Sequence, residues 1–582
     1  MVAGVYGERS ADGSHIVIMA AGDDWELDRA AGVLKRMTPL LRKTDPPGAL
    51  AMPCTWAAVT QLGHSFTGEY TGVWCPGPRL QEWIVEEFTR RHAPGDLHYW
   101  PGDQLTPRPY QVDGACQIAA SDGFLLFDDP GTGKTVTTVL GLLEREKRGG
   151  AVFPMVIVVP SWDVADVWAT HIRQWAPGWG EPVLYAGPAR GLLSDDRIAI
   201  TTYATARIDA DFLAKLKPAV VIADEVHLIK NQDSQQSKAV RAIARHAMFL
   251  GLSGTPITRD TGDLYPCLAA MDAQSYPSRK RFVQRYCDTI EDEYSVKVQG
   301  LNAAAEPEFR CALAGQHRRV AKADVLAQLP PKIYSVRRVE VPPEWRKAYD
   351  GMADEMLAEL PVNDEGVGQE LPVMSVLAQL TRLSQLASSA VDVITRVEEP
   401  DTAAGYPAMR TAYDITLRAP SWKADALLEI LAERPGQQVA VFANSRQLIE
   451  IAGQACEQAG YRIGFITGTI SATARQTFIK AFQAGRLDVI LCTAGAGSLG
   501  ITLTAAGTAV FLQRSWEFDK AVQPEDRLHR IGQQNSVVEI IDIVAKDTVD
   551  DRVRELLHVK GGHLGQLVQD PRIVRELLGG IK

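Results

Sequence analysis

The chain has 582 residues, 46% of them apolar and 23% charged, a globular composition too long for one hydrophobic core, so roughly three or four domains are expected. No long uninterrupted apolar stretch appears, and Met1 to Gly13 lacks a basic region followed by a hydrophobic one; neither a membrane span nor a secretory signal is indicated, and a cytoplasmic protein is expected. A formal net charge of −10 rules out whole-molecule attraction to nucleic acid and leaves that role to a local basic groove.

Residues 1–105 hold five of the twelve tryptophans, Trp25, Trp56, Trp74, Trp83 and Trp100, and form an N-terminal module of their own. Within it Leu80, Trp83, Ile84 and Phe88 recur at helical spacing, with Glu82, Glu86, Glu87, Arg90 and Arg91 on the other faces, so the tryptophan-bearing stripe is expected to be core. The eight cysteines, Cys54, Cys75, Cys116, Cys267, Cys287, Cys311, Cys456 and Cys492, include no CxxC pair and no cluster with histidine. That pattern argues against structural zinc and against a disulfide framework.

From residue 106 the pattern changes to short β-branched runs at 124–127, 155–159, 198–202, 219–223 and 248–252, each followed by helical sequence. Such alternation predicts a parallel sheet over 106–265, with ligands at the carboxyl ends of its strands. The first run leads into Asp128-Asp-Pro-Gly-Thr-Gly-Lys-Thr135. A glycine-bearing loop between a buried strand and a helix aims backbone N–H groups at one point, where the helix dipole favours an anion. Gly131, Thr132 and Gly133 would wrap a triphosphate, Lys134 would reach its outer phosphates and Thr135 would offer a hydroxyl to magnesium. The strict pattern GxxxxGK followed by Ser or Thr has glycine where Asp128 stands. The fourth run ends in Asp224-Glu-Val-His227. There Asp224 would hold magnesium and Glu225 would orient and deprotonate the attacking water, although acidic pairs in such places also cap helices.

The stretch 266–418 is rich in Arg, Lys, Glu and Ala and reads as a helical insertion and linker. Strands return at 438–442, 462–466, 487–492, 508–512 and 537–543, giving a second α/β lobe over 419–582. In Gln523-Pro-Glu-Asp-Arg-Leu-His-Arg-Ile-Gly-Gln533, Arg527 and Arg530 stand three apart and would share one face of a helix. An arginine so placed can stabilise charge on a transferring phosphoryl group, an effect of roughly 10³ to 10⁵ in rate.

Taken in order, Arg108-Pro-Tyr-Gln111, the octamer 128–135, Asp224-Glu-Val-His227, Ser253-Gly-Thr-Pro256, Gly497 to Leu503 and Gln523 to Gln533 resemble the motif set of superfamily-two helicases. Within these the chain looks most like the Swi/Snf-type DNA-dependent ATPases, whose late motif ends in His-Arg-Ile-Gly-Gln, over about residues 105–555. The resemblance implies an α/β fold: two RecA-like parallel-sheet lobes, a helical insertion and a small N-terminal α+β module. It also implies ATP and magnesium as cofactors and an ATP-driven translocase on duplex or forked DNA, contacted without regard to sequence. By the same resemblance Gln111 would recognise adenine, Ser253 and Thr255 would couple hydrolysis to lobe motion, and Arg527 with Arg530 would act on the γ-phosphate. Trp168 and Tyr203 match elements that line the nucleic-acid track or pack beside it; Lys332 and Arg318-Arg319-Val-Ala-Lys322 match the basic segment after the first lobe. Thr493-Ala-Gly-Ala-Gly-Ser-Leu-Gly500 departs from the family's usual stretch by lacking an arginine and one glycine, which bears on how Thr493 and its neighbours grip a phosphate backbone. Gly500-Ile-Thr-Leu-Thr504, Gln513 to Glu517 and Val544-Ala-Lys-Asp-Thr548 look most like the annealing-helicase branch. The alternatives are an RNA helicase of the DEAD/DEAH kind and a nucleic-acid-binding scaffold without turnover. The short chain points to a bacterial or phage source, and nothing in it names a protein partner.

Overall fold

Alternation of side chains along short apolar strands builds two parallel sheets in this protein, seen in a computed structural model that describes residues 4–21, 24–37, 42–43, 49–66, 73–93, 95–98, 105–190, 198–254, 260–292, 295–326, 329–359, 373–398, 410–497, 501–515 and 521–559. The chain divides into two units, Met1–Val325 and Leu326–Lys582. No helix among the described residues is long and apolar enough to cross a membrane.

The first unit begins with strands β1 (Gly4–Arg9), β2 (His15–Ala21), β3 (Arg42–Lys43), β4 (Leu50–Pro53) and β5 (Val73–Pro76). They pair in the order β3-β4-β2-β1-β5, antiparallel except for β1 with β5. Val5, Ile16, Ile18 and Met52 pack from this sheet against Leu62 and Leu80 of the helices Trp56–Ser65 and Pro78–His92. The module is tied to later sequence: Trp56 Nε1 donates to Cys311 O at 2.8 Å and Gln61 Nε2 to Tyr286 Oη at 3.1 Å.

Helix Pro78–His92 departs from its expected faces. Glu87 is buried, while Phe88 is 51% exposed. Residues 80, 87 and 91 share a face, and Arg91 on that face reaches Ala314 O at 2.8 Å while pairing with Glu87 at 2.6 Å. An ion pair anchored to a backbone carbonyl therefore takes the contact that apolar spacing alone assigns to Phe88.

The main sheet of this unit contains β6 (Gly123–Leu126), β7 (Met155–Val159), β8 (Val183–Leu184), β9 (Ile198–Thr202), β10 (Val220–Asp224) and β11 (Met248–Leu252). A hairpin β12 (Cys287–Asp292) with β13 (Ser295–Leu301) follows, and then β14 (His317–Arg318) joins the sheet edge. The order is β14-β6-β11-β10-β7-β9-β8, all neighbours parallel. Phe124, Leu126, Ile157, Ile222 and Leu250 enter one core and Leu125, Val156, Val158, Val221 and Phe249 the other, as expected of a sheet covered on both faces.

The second unit opens with β15 (Lys332–Val339), then a hairpin β16 (Ala390–Glu398) with β17 (Arg410–Arg418). β18 (Val439–Ala443), β19 (Ile463–Ile466), β20 (Val489–Thr493), β21 (Thr508–Phe511) and β22 (Val538–Ala545) complete it. The sheet runs β15-β22-β21-β18-β20-β19, again wholly parallel. The stretch 266–418 thus carries helices, such as Arg279–Tyr286, Pro343–Glu359 and Val373–Leu386, and also strands that its composition does not announce. β15 pairs over eight residues with β22, whose buried Ile540, Ile541 and Ile543 lie more than two hundred residues later.

Candidate active site

β6, β11 and β10 are neighbours, so the segments that leave their carboxyl ends lie side by side. After β6 the backbone enters the left-handed region at Gly131 (φ 84°) and again at Gly133 (φ 83°), which starts the helix Lys134–Lys147. A Cβ at Gly133 would lie 2.5 Å from Gln111 Nε2, so glycine is needed there for close packing as well as for φ. The helix Pro109–Ala120 clasps this turn: Tyr110 Oη and Gln111 Nε2 both donate to Thr132 O, at 2.7 and 3.1 Å. Gln111 Oε1 accepts from Arg108 N at 2.9 Å, and Thr132 Oγ1 donates to Asp129 O at 2.8 Å. Lys134 Nζ donates to the carbonyls of Asp128 and Asp129 at 2.8 and 3.3 Å, and Thr135 follows on the first helical turn.

Asp128 is fully buried and accepts at Oδ1 from Arg318 Nε (3.2 Å) and Val320 N (3.0 Å), with Arg318 Nη2 on Oδ2. A carboxylate in that place therefore has a built partner. Arg318, matched by resemblance to the basic segment after the first lobe, is thus the partner of Asp128; the signal for it in the sequence is an aspartate where the strict pattern has glycine.

At the end of β10, burial and then the charge of Glu225 push the Asp224 carboxyl up to about 6, against the opposing effects of Trp168 and Lys134. Trp168 Nε1 donates to Asp224 Oδ2 at 2.8 Å and Tyr203 Oη to Asp224 O at 2.8 Å. Both aromatic side chains are buried and pack behind Asp224. They hold the acidic residue from behind, because a buried aromatic with a polar tip must find an acceptor.

Glu225 itself sits at φ 51°, ψ 54°, a left-handed conformation rare for a non-glycine residue. Its Oε2 lies 3.4 Å from His227 Nδ1, which is 3.1 Å from Ser253 Oγ just beyond β11. A continuous polar path thus joins the acidic pair to the third strand end. Thr255 lies outside the described residues.

In the second unit the helix around Arg527 spans only Glu525–Leu528, and Arg530 lies beyond its end. The expected single helical face is therefore replaced by a short helix and a bend. Leu503 N donates to Arg527 O at 2.9 Å, and Arg530 Nη1 donates to Ile501 O and Thr502 Oγ1 at 3.3 and 3.0 Å, so the bend is shaped by the chain 501–503. Burial, then the like charge of Arg527, push Arg530 down to about 10 against Asp526. Lys332 pairs with Glu525 at 3.0 Å and Asp526 at 3.5 Å, and Arg514 joins Glu525 to Asp542 at 2.7 Å each. Lys332 is thus engaged in holding this helix. Thr493 ends β20 and is nearly buried.

The sequence matches the SNF2-related domain over residues 56–390 and the helicase conserved C-terminal domain over residues 422–532. The chain belongs to the SNF2-related family. It is 27% identical over 83% of its length to Chromodomain-helicase-DNA-binding protein 1-like of Mus musculus. It is 28% identical over 79% of its length to SWI/SNF-related matrix-associated actin-dependent regulator of chromatin subfamily A-like protein 1 of Xenopus laevis. The chain spans only 53% and 44% of those two proteins. A solved structure described as the Sulfolobus solfataricus SWI2/SNF2 ATPase core in complex with dsDNA aligns with 83% of the chain at 21% identity and a TM-score of 0.37. The SNF2-related match starts at Trp56, inside the Trp-rich N-terminal segment and at the residue whose indole bonds to Cys311 O. In this SNF2-related chain the first sheet brings Lys134, Asp224, Glu225 and Ser253 to three adjacent strand ends, while Arg527 and Arg530 lie in the second unit between β21 and β22.

Proposed function

We propose that this SNF2-related protein is an ATP-driven translocase on duplex or forked DNA, contacting the phosphate backbone without reading bases. The observation that carries the reading is the grouping of Lys134, Asp224 and Glu225 at the ends of β6 and β10, with His227 leading on to Ser253. The residues fit a magnesium nucleotide. Two left-handed glycines and a helix start give donors for phosphate oxygens, and Thr135 and Asp224 would supply oxygen ligands to the ion. Bound there, the ion would neutralise charge on the β- and γ-phosphate oxygens.

The protein's own groups do the rest. Lys134 leaves its loop carbonyls for the outer phosphates, and Glu225 orients the attacking water and takes its proton. Gln111 has a second amide hydrogen and a second lone pair to offer an adenine edge. Arg527 and Arg530 supply positive charge to the phosphoryl group in transfer, and His227 passes the state of Glu225 to Ser253. Alternating grip on one backbone by two lobes then yields a step, with steep salt dependence and no sequence preference.

The test is ATP turnover with no nucleic acid, single-stranded DNA, duplex, fork and RNA. Duplex or fork DNA should stimulate wild type most, and Lys134→Ala and Glu225→Gln should abolish turnover. Hydrolysis indifferent to both substitutions, or stimulated by RNA alone, would refute the reading.

A further inference from the structure

The helices Pro109–Ala120 and Lys134–Lys147, whose first turns carry Gln111 and Lys134, lie against each other without a side chain between them at two points. A Cβ at Gly114 would stand 2.7 Å from Thr137 Cγ2, and one at Gly141 would stand 2.7 Å from Ile118 Cβ and 3.0 Å from Ala115 O. One turn further on, Arg145 Nη1 donates to Ser121 O at 2.7 Å. The contacts of 114 with 137, 118 with 141 and 121 with 145 advance together, so the helices run in the same direction and finish side by side, away from the phosphate loop. Backbones packed this closely shift as one body.

Both finishing ends are held by residues of the N-terminal segment. Arg90, on the helix Pro78–His92, donates through Nη1 to Ala120 O at 2.6 Å and pairs with Asp122 at 3.0 Å. Glu87 fixes the same guanidinium from its other side, at 2.9 and 2.7 Å. The last carbonyls of a helix lack intrahelical partners and carry its negative end, and a guanidinium answers both needs. On the neighbouring helix Glu144 is fully buried and accepts from His98 N and Arg148 Nε, at 2.7 Å each, with His98 Nδ1 2.8 Å away. Burial pushes the Glu144 carboxyl up, but His98 and Arg148 outweigh it and bring it below its ordinary value, so it is ionised. Arg148 Nη2 reaches back to Asp96 O at 2.8 Å, and Leu97 packs on the core that holds Ile118 and Leu140.

We infer that residues 87–93 and 95–98 brace the nucleotide clasp from behind: Arg90 and His98 are positioning residues that set the axial place of the two helices and thereby the aim of Gln111 and Lys134. A 12-residue helix is about 18 Å long and stiff, so a shift at Ala120 arrives at Gln111 with little loss. The inference rests on the reading of Gln111 and Lys134 as nucleotide-binding groups. It gives the N-terminal segment a part in ATP affinity, although neither Arg90 nor His98 touches the phosphate loop.

The side chains of Arg90 and His98 are 33% and 65% exposed, so both can be changed in the full chain at small cost to folding. Arg90→Gln and His98→Ala are made singly and together, and thermal unfolding identifies the variants that remain folded. The double variant should raise the KM for ATP by about fivefold and weaken binding of a non-hydrolysable ATP analogue to the same extent, with kcat within about twofold of wild type. Arg90→Lys, which keeps the charge but loses the fork, should fall between wild type and Arg90→Gln. Arg281→Ala loosens the N-terminal segment elsewhere, at the bond of Arg281 Nη1 to Met37 O, and should leave KM unchanged.

Amide exchange without nucleotide or DNA should speed up in the double variant at 109–114 and 131–137. Unchanged analogue binding and unchanged exchange in a folded double variant would overturn the brace. An equal rise in KM from Arg281→Ala would overturn it as well, since any loosening would then serve. Faster exchange at those two segments, in a protein whose wild type binds no ATP analogue, would uphold the brace and overturn the ATPase reading instead.

Discussion

The indole Nε1 of Trp168, in the interior of the first unit, donates to Asp224 Oδ2 at 2.8 Å. That bond fixes one carboxylate oxygen and leaves Oδ1 to accept from Glu225 N at 3.0 Å. Trp168→Phe should cost about 1–2 kcal/mol of folding stability through the smaller ring. Its larger effect should be on magnesium: the loss of a partner behind the carboxylate proposed to hold the ion should raise the magnesium concentration for half-maximal ATPase by about tenfold. A magnesium titration of turnover checks this, and an unchanged midpoint would remove Trp168 from the site.

Glu225 occupies a left-handed conformation that a Cβ disfavours. Glu225→Gly should therefore unfold at a higher temperature than Glu225→Gln, by the equivalent of about 1 kcal/mol, although neither variant should hydrolyse ATP. Calorimetry of the two variants decides whether the backbone there is strained.

Arg527 and Arg530 should separate under substitution. Arg527→Ala should lower DNA-stimulated turnover by roughly 10³ with little change in nucleotide binding. Arg530→Ala should also lower turnover, and in addition lower the unfolding temperature, because it releases Ile501 O and Thr502 Oγ1. Thermal stability of Arg530→Ala equal to that of wild type would contradict the bonding seen in the bend.

Glu525 is pushed upward by burial, but Arg514 and Lys332 outweigh this and bring it below its ordinary value of 4.5. A carboxylate lowered in the folded state contributes stability that is present above its unfolded value and is lost as pH falls through the folded one. Unfolding midpoints of wild type should drop on acidification below about 4.5 more steeply than those of Glu525→Gln. Parallel curves would show that the network of Lys332, Arg514 and Glu525 adds nothing to stability.

The strands of both parallel sheets were legible because fully buried β-branched runs have few alternatives: the expected 155–159, 198–202 and 248–252 agree with β7, β9 and β11 to the residue. The phosphate loop was legible for the same local reason, since glycine at 131 and 133 is a backbone requirement. β14 and β15 were not, because two residues at a sheet edge and a partly exposed strand without regular alternation of burial carry little periodic signal. Phe88 and Glu87 exchanged their expected places for a reason no window of sequence contains, the carbonyl of Ala314. Trp168 and Tyr203 show the same limit: the resemblance offered them as lining a nucleic-acid track or packing beside it, and only the fold shows that both donate to Asp224.

By itself the sequence determined the chemistry at each strand end, because glycine at a left-handed position, lysine and threonine opening a helix, and an acidic pair closing a buried strand are local demands. The tertiary structure alone decided which groups answer those side chains. Arg318 reaches Asp128 across 190 positions, Trp168 reaches Asp224 across 56 and Lys332 reaches Glu525 across 193. A buried charge must be met by whatever the fold brings beside it, and sheet order, rather than sequence distance, sets that neighbour.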